Sequence, residues 1–286
     1  MSSDPKKIKN LEKEREGGAV VSRDSTILWE GLDFGTTQAI TNMESLLLFL
    51  PAFLSVYGLS YCLLFRAWAP DSRPDASSCA ISLSHGTPAV FLASRALLFS
   101  PTASRSFCSP NAPADNLALE FSIAYFLSDM LHLIVFRPSD VLFIAHHAAT
   151  LFVFLTCRYL VHHGAYELLV LLILAEITSA CQNTWTLARI QRLESAAANK
   201  VYESISVPFY AFYTIMRCVL GPAFVYKMGR FYLGDGCRGV VSKWVGMSWL
   251  AVIVTAICVS ILWVWNNWVE YFREKGKKEK FENKAM

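Results

Sequence analysis

The stretch VGMSWLAVIVTAICVSILWVWNNW, residues 245–268, decides the class of fold. It carries no charged residue, and as a helix it is about 36 Å long, more than the roughly 30 Å of a bilayer core. Tryptophans near both of its ends are typical of the two membrane interfaces. Six further apolar runs of similar length precede it, at 45–65, 80–99, 117–136, 141–160, 165–187 and 201–226.

Backbone that faces lipid must be helical, because no water is present to satisfy its polar groups. The runs therefore predict an all-α fold: a multi-pass transmembrane helix bundle of about seven helices with short loops. The number is six or seven because the run 80–99 is the weakest, containing His85, Pro88 and Arg95.

The composition excludes several classes of protein. Of 286 residues 54% are hydrophobic and only 17% charged, against about a quarter charged in soluble chains. This argues against a cytosolic enzyme and against a disordered chain. A net charge of +3 is too small to indicate a nucleic-acid binder. The eight cysteines are too dilute for a disulfide scaffold. Six of them lie in or beside apolar runs, where we expect small apolar fillers: Cys62, Cys79, Cys157, Cys181, Cys218 and Cys258.

The chain divides into a polar N-terminal tail at 1–44, a membrane bundle at 45–268 and a charged C-terminal tail at 269–286. We expect the first tail to be disordered and not a cleaved signal peptide, because no apolar segment follows its basic start. With seven spans, the loops on the side of the C-terminal tail, together with that tail, carry about twice as many Lys and Arg as the loops opposite. Cytosolic loops are enriched in these residues, so we predict a cytosolic C-terminus.

Ionisable groups inside the spans are the main functional signal, because each costs several kcal/mol without a partner or water. We expect an inward-facing polar cavity between spans two and six. Its predicted lining is His85, Arg95, Tyr125, Asp129, His132, His146, His147, Thr150, Glu176, Ser179, Asn183 and Arg217. The alternative is a set of interhelical hydrogen bonds that only hold the bundle together. We expect Glu120, Glu167 and Arg158 to snorkel from span ends.

Helical spacing supports the cavity. Asp129 and His132 are three residues apart and share a helix face, and Glu176, Ser179 and Asn183 form a stripe on the fifth span.

The fourth span adds a second face. His146 and Thr150 are four residues apart, whereas His147 points about 100° away from His146, so only one histidine of the pair can face a given neighbour. No zinc-type HExxH motif, glycine-rich phosphate loop or GxSxG elbow occurs. We therefore predict no metal and no bound cofactor, although His and carboxylate ligands from separate spans remain an alternative.

Four segments in order resemble the TLC domain, which ceramide synthases share with the translocating-chain-associating membrane proteins and with less understood lipid-linked membrane proteins. The central one is FIAHHAATL at 143–151, which is similar to the double-histidine signature of that domain. The others are SLSH at 82–85, YFLSD at 125–129 and LAEITS at 174–179. The resemblance covers about residues 80–268. The LAEITS segment is similar to the glutamate-centred fifth-span motif of the branch that lacks synthase activity.

The resemblance implies residence in the endoplasmic reticulum and lipid-related work. Ceramide synthases transfer an acyl group from acyl-CoA to a long-chain base, and follow the double histidine with a histidine-aspartate-x-x-aspartate element. Here that element is replaced by Ala175, Glu176 and Ser179, so a histidine and one carboxylate are missing.

The leading hypothesis is a membrane protein that binds or senses lipid and contributes to lipid homeostasis or trafficking. Its expected partners are membrane lipids and, in second place, other membrane proteins. The alternative is a lipid acyltransferase with His146 or His147 as base or nucleophile and acyl-CoA as substrate. Two further classes are a transporter, which would be expected to show an inverted repeat that we do not find, and an accessory protein for other membrane proteins.

Overall fold

The computed structural model describes residues 44–99, 105–234, 236–237 and 239–285, so the predicted N-terminal tail lies outside the described residues except for Glu44. The described part is built from seven long helices, and in four of them the regular α-helix is interrupted. The continuous ones are α2 (Arg73–Leu98), α3 (Pro113–Phe136) and α7 (Lys243–Ala285). The interrupted ones are α1 (Glu44–Leu59, then a π-helical turn Ser60–Leu64), α4 (Val141–Leu155, then π-helical Thr156–Val161), α5 (Ala165–Glu176 and Ser179–Gln191) and α6 (Ala196–Thr214, π-helical Ile215–Leu220, Gly221–Leu233).

The predicted fold class is confirmed: the described ranges form an all-α multi-pass bundle. Six of the seven helices, all except α2, are long and apolar enough to cross a membrane. As an α-helix, α2 is about 39 Å long. Its length is therefore sufficient, and only its polarity separates it from the others.

The polarity of α2 is explained by its central position. It packs against α3 and against both halves of α5, and several of its polar residues face α3. Ser78, Ser82 and His85 contact residues of α3 in reverse order, ending at Ser122. The two helices therefore run antiparallel side by side, and α2 has the position of a seventh span.

One end of the bundle is joined covalently. Cys108, before α3, forms a disulfide with Cys237, after α6, with their Cα atoms 5.9 Å apart. The loop before α5 is held at the same end by Asn111. The Asn111 side chain accepts a hydrogen bond from the Ala165 amide at 2.9 Å and donates one to the Cys157 carbonyl at 3.1 Å. We call this end, with the loops before α3, α5 and α7, the disulfide side.

At the opposite end, surface ion pairs connect helix termini. Arg137, after α3, donates to both carboxylate oxygens of Asp75 at 2.9 and 2.8 Å, and this hydrogen bonding raises the pKa of Arg137. Arg192, at the end of α5, likewise donates to Glu274 on α7 at 3.0 Å, which raises the pKa of Arg192. Helix α7 continues through most of the predicted charged tail.

The expectation that Glu120, Glu167 and Arg158 snorkel is wrong. The Arg158 guanidinium donates to Glu120 at 2.7 and 2.6 Å, and the two side chains are only 5% and 3% exposed. Glu167 is fully buried and accepts a 2.5 Å hydrogen bond from the Tyr232 hydroxyl. Charges this deep need a partner, and facing helices supply one.

Candidate functional site

Asp129 on α3 is the centre of the first polar cluster. One carboxylate oxygen accepts a hydrogen bond from the Ser78 hydroxyl of α2 at 2.6 Å. The other lies 2.9 Å from Nε2 of His147 on α4. Asp129 and His147 are both buried, so the contacts of Asp129 with Ser78 and His147 join α2, α3 and α4 inside the bundle. We call these three residues the Asp129 cluster.

Both ring nitrogens of His147 face oxygen. Nδ1 lies 2.9 Å from the backbone carbonyl of Phe143, one turn earlier on α4, and Nε2 faces Asp129 along a bent path, too bent for a regular hydrogen bond. A carbonyl and a carboxylate only accept hydrogen bonds. His147 therefore has an acceptor oxygen beside each ring nitrogen, and its ring is held between Phe143 of its own helix and Asp129 of α3.

His132, one turn after Asp129, also faces α2. Its Nδ1 lies 3.0 Å from the Tyr57 hydroxyl of α1, and its Nε2 lies 3.9 Å from Asp75. Asp129 and His132 thus both face α2, as expected for residues that share one helix face. His132 extends the polar contacts toward the surface pair of Asp75 and Arg137.

His85 on α2 is the centre of a second cluster. The side chain is fully buried, its Nε2 lies 3.1 Å from the Ser122 hydroxyl, and its Nδ1 lies 3.6 Å from a carboxylate oxygen of Glu176 on α5. Its ring stacks on Tyr125 with centroids 4.0 Å apart and planes 7° apart, and the Tyr125 hydroxyl lies 2.8 Å from that of Ser82. The first cluster lies close by, because Tyr125 is one turn before Asp129.

Gly86 allows α2 and α5 to approach closely here. A Cβ at this position would lie 2.6 Å from Cβ and Oγ of Ser179 and 3.2 Å from the Glu176 carboxylate. Ser179 in turn accepts from the Asn183 side-chain amide at 3.1 Å. The predicted stripe on α5 therefore begins where its two halves meet, at the edge of the His85 cluster.

His146 faces away from Asp129. It is half-buried, and Arg217 and Glu176 are near enough to act on it electrostatically. No described residue makes a hydrogen bond with its ring nitrogens. Thr150 lies one turn further along the same face and donates to the His146 carbonyl at 2.9 Å. The predicted divergence of the two histidines is therefore present.

A gap faces His146. Among the described helices, α4 packs against α3 and α7, while no comparable packing joins α4 to α5 or to the π-helical turn of α6. Arg217 of α6 instead donates to the Ala175 carbonyl of α5 at 3.0 Å, so those two helices contact each other. We call the space bounded by His146, Thr150, Glu176 and Arg217 the α4–α6 gap.

Arg95 is not part of these clusters, because its side chain is exposed near the disulfide-side end of α2. A separate cavity of about 620 Å³ also lies at the disulfide side, lined by Tyr232, Cys237 and residues 239–243. Within the described ranges, no group of three or more His, Cys, Asp or Glu side chains is placed to hold a metal ion.

Sequence reasoning missed two features of this architecture. The Cys108–Cys237 disulfide had a signal, since these two cysteines are the ones outside the apolar runs. The pairing of Glu120 with Arg158 had none, because the residues are 38 positions apart on different helices.

A bundle of this type, with histidine and carboxylate side chains buried between its helices, defines a multi-pass helical membrane protein. The TLC domain model matches residues 75–269, so the chain belongs to the TLC domain family. It is similar to the TLC domain-containing protein At5g14285 of Arabidopsis thaliana, with 56% identity over 82% of this chain and 92% of that protein. No solved structure matches the chain.

Proposed function

We propose that the protein binds a membrane lipid in the α4–α6 gap and through this binding contributes to lipid homeostasis or trafficking. The observation that carries the proposal is the unpacked inner face of α4. His146 and Thr150 lie on this face, on the side of Glu176 and Arg217. Helix α4 does not pack closely on the segments of α5 and α6 that carry those two residues.

Interhelical hydrogen bonding accounts for only part of the polar interior. Asp129 contacts His147, and His85 contacts Ser122, each across two helices. Contacts of this kind hold a bundle together. His146 has no such contact with a described residue. A polar side chain in this position needs another partner, and amphiphilic lipid is the one that a membrane supplies.

Retention of lipid by the purified protein tests this proposal. Thr150→Phe should fill the gap, while Leu142→Phe enlarges a side chain that is 69% exposed on the outer surface. Lipid is extracted from each variant after purification in detergent and quantified by mass spectrometry. We expect the T150F variant to lose a lipid that the wild-type protein and the L142F variant retain. Equal lipid content in all three would contradict the proposal.

An acyltransferase remains the second candidate, because His146 has ring nitrogens that no described residue engages. The replacement of the synthase element by Ala175 and Ser179 argues against it. Under this candidate, His146→Ala abolishes acyl transfer from acyl-CoA to a sphingoid base or lysophospholipid. Absence of product from the wild-type protein with every acceptor would exclude it.

For localisation, we propose the endoplasmic reticulum with a cytosolic C-terminus. Disulfides persist in oxidising compartments, which supports a lumenal position for Cys108 and Cys237. With seven spans, the C-terminal end of α7 is then on the other side, in agreement with the distribution of Lys and Arg. A glycosylation acceptor inserted after Ser109 should be modified, and one fused at the C-terminus should not; the reverse pattern would overturn this orientation.

A further inference from the structure

Arg217 lies near the middle of α6, the helix that carries it. It is 21 residues from the start of α6 at Ala196 and 16 from its end at Leu233. At 1.5 Å per residue it is about 31 and 24 Å from the two ends. Because a bilayer core is only about 30 Å thick, a residue near the middle of this 38-residue helix lies far from both interfaces, and a cation there needs compensation from within the bundle.

The protein compensates Arg217 only in part. One guanidinium nitrogen donates to the Ala175 carbonyl at 3.0 Å, and the group lies 5.2 Å from the centroid of the Tyr213 ring. Its Nε is buried and has no hydrogen-bond partner among the described residues. No carboxylate of the described residues lies within 4.0 Å of it. A guanidinium has five N–H donors, so most of its donor capacity is unused.

The nearby titratable groups do not remove this deficit. Glu176 acts on Arg217 electrostatically, but its carboxylate oxygen contacts His85 at 3.6 Å instead. His146 is the other nearby group, and an imidazole is either neutral or positive. Neither group places an anion in contact with the guanidinium.

We infer that Arg217 binds the anionic head of an amphiphile that occupies the α4–α6 gap. A carboxylate or a phosphate matches the forked donors of a guanidinium, so a fatty acid and an anionic phospholipid share the required chemistry. The inference rests on the proposed function and adds the charge of the ligand to it. The half-buried ring of His146 is placed to face the same head group.

Binding assays with the full chain in nanodiscs of neutral phospholipid test this inference. The probes are oleate and dioleoyl phosphatidate, with oleyl alcohol and dioleoylglycerol as their neutral counterparts. The variants are Arg217→Gln and Arg217→Lys, and Arg95→Gln removes an exposed arginine as the matched control. We expect the wild-type protein and the R95Q variant to prefer the anionic member of at least one pair. The R217Q variant should bind that probe about tenfold more weakly, the effect of losing a charged hydrogen bond.

The R217K variant keeps the positive charge without the forked donors, so it should bind the anionic probe more weakly than the wild-type protein but still prefer it to the neutral one, which separates loss of charge from misfolding. A preference for oleate assigns a carboxylate head, and one for phosphatidate assigns a phosphate head. Equal binding of charged and neutral probes by the wild-type protein overturns the role of Arg217 while leaving lipid binding intact. Binding of no probe by the wild-type protein overturns both. Loss of preference in both Arg217 variants, or in neither, also overturns the inference.

Discussion

The buried pair of Glu120 and Arg158 gives the sharpest prediction about stability. Both side chains are almost fully buried, and the guanidinium donates at 2.6 and 2.7 Å. Removing one partner of a buried ion pair leaves an uncompensated charge and costs about 3–5 kcal/mol. Since 1 kcal/mol shifts Tm by about 2–4 °C in a domain of this size, Arg158→Met should lower Tm by roughly 6–20 °C.

The assay is thermal unfolding of the purified protein in detergent, followed by tryptophan fluorescence. Glu120→Met should destabilise to a similar degree. The double variant should lie near the wild-type protein, because replacing both charges with apolar side chains of similar size is often neutral. Arg137→Met, at a pair that is about one-third exposed, is the control and should cost less than about 1 kcal/mol. A Tm for R158M close to that of R137M, or additive losses in the double variant, would refute the reasoning.

Two further predictions concern close approach and covalent structure. Gly86→Ala should cost about 1–3 kcal/mol through overpacking, because its Cβ would meet Ser179 at 2.6 Å. Gly58→Ala, whose Cβ would have no described atom within 4 Å, should leave the free energy of unfolding unchanged or raise it. Equal effects of the two substitutions in thermal unfolding would contradict this. Alkylation under denaturing, non-reducing conditions should label six cysteines in the wild-type protein. In the Cys108→Ser variant, which loses the bond to Cys237, it should label every remaining cysteine. Eight labels in the wild-type protein would disprove the disulfide.

The fold was largely predictable because each span is recognisable from its own run of apolar residues. The apolar run 245–268 lies within α7, and the remaining runs also correspond to helices. Even α2 was recognisable, and its lower hydropathy has a physical reason: Ser78, Ser82 and His85 face neighbouring helices instead of lipid. The double histidine and its companion segments were sufficient to identify the TLC domain family, which the family match confirms.

The pairing of residues across helices was not predictable. Helical spacing places Asp129 and His132 on one face, but it does not reveal that Asp129 contacts His147. Burial of Glu120 and Arg158 depends on the packing of α3 against the π-helical turn of α4, and a single sequence does not contain that packing. The interhelical distances therefore had to come from the structure.

The most direct test of a lipid-binding interior is photo-crosslinking of a diazirine-bearing lipid to the protein in proteoliposomes, with labelled residues mapped by mass spectrometry. Every span contacts bulk lipid, so labels on outward residues such as Leu47 and Leu48 are expected in any case. The account predicts additional labels at His146 and Thr150, competed by excess unlabelled lipid of the same class. Labels confined to the outward residues, with none on the inner face of α4, would contradict it.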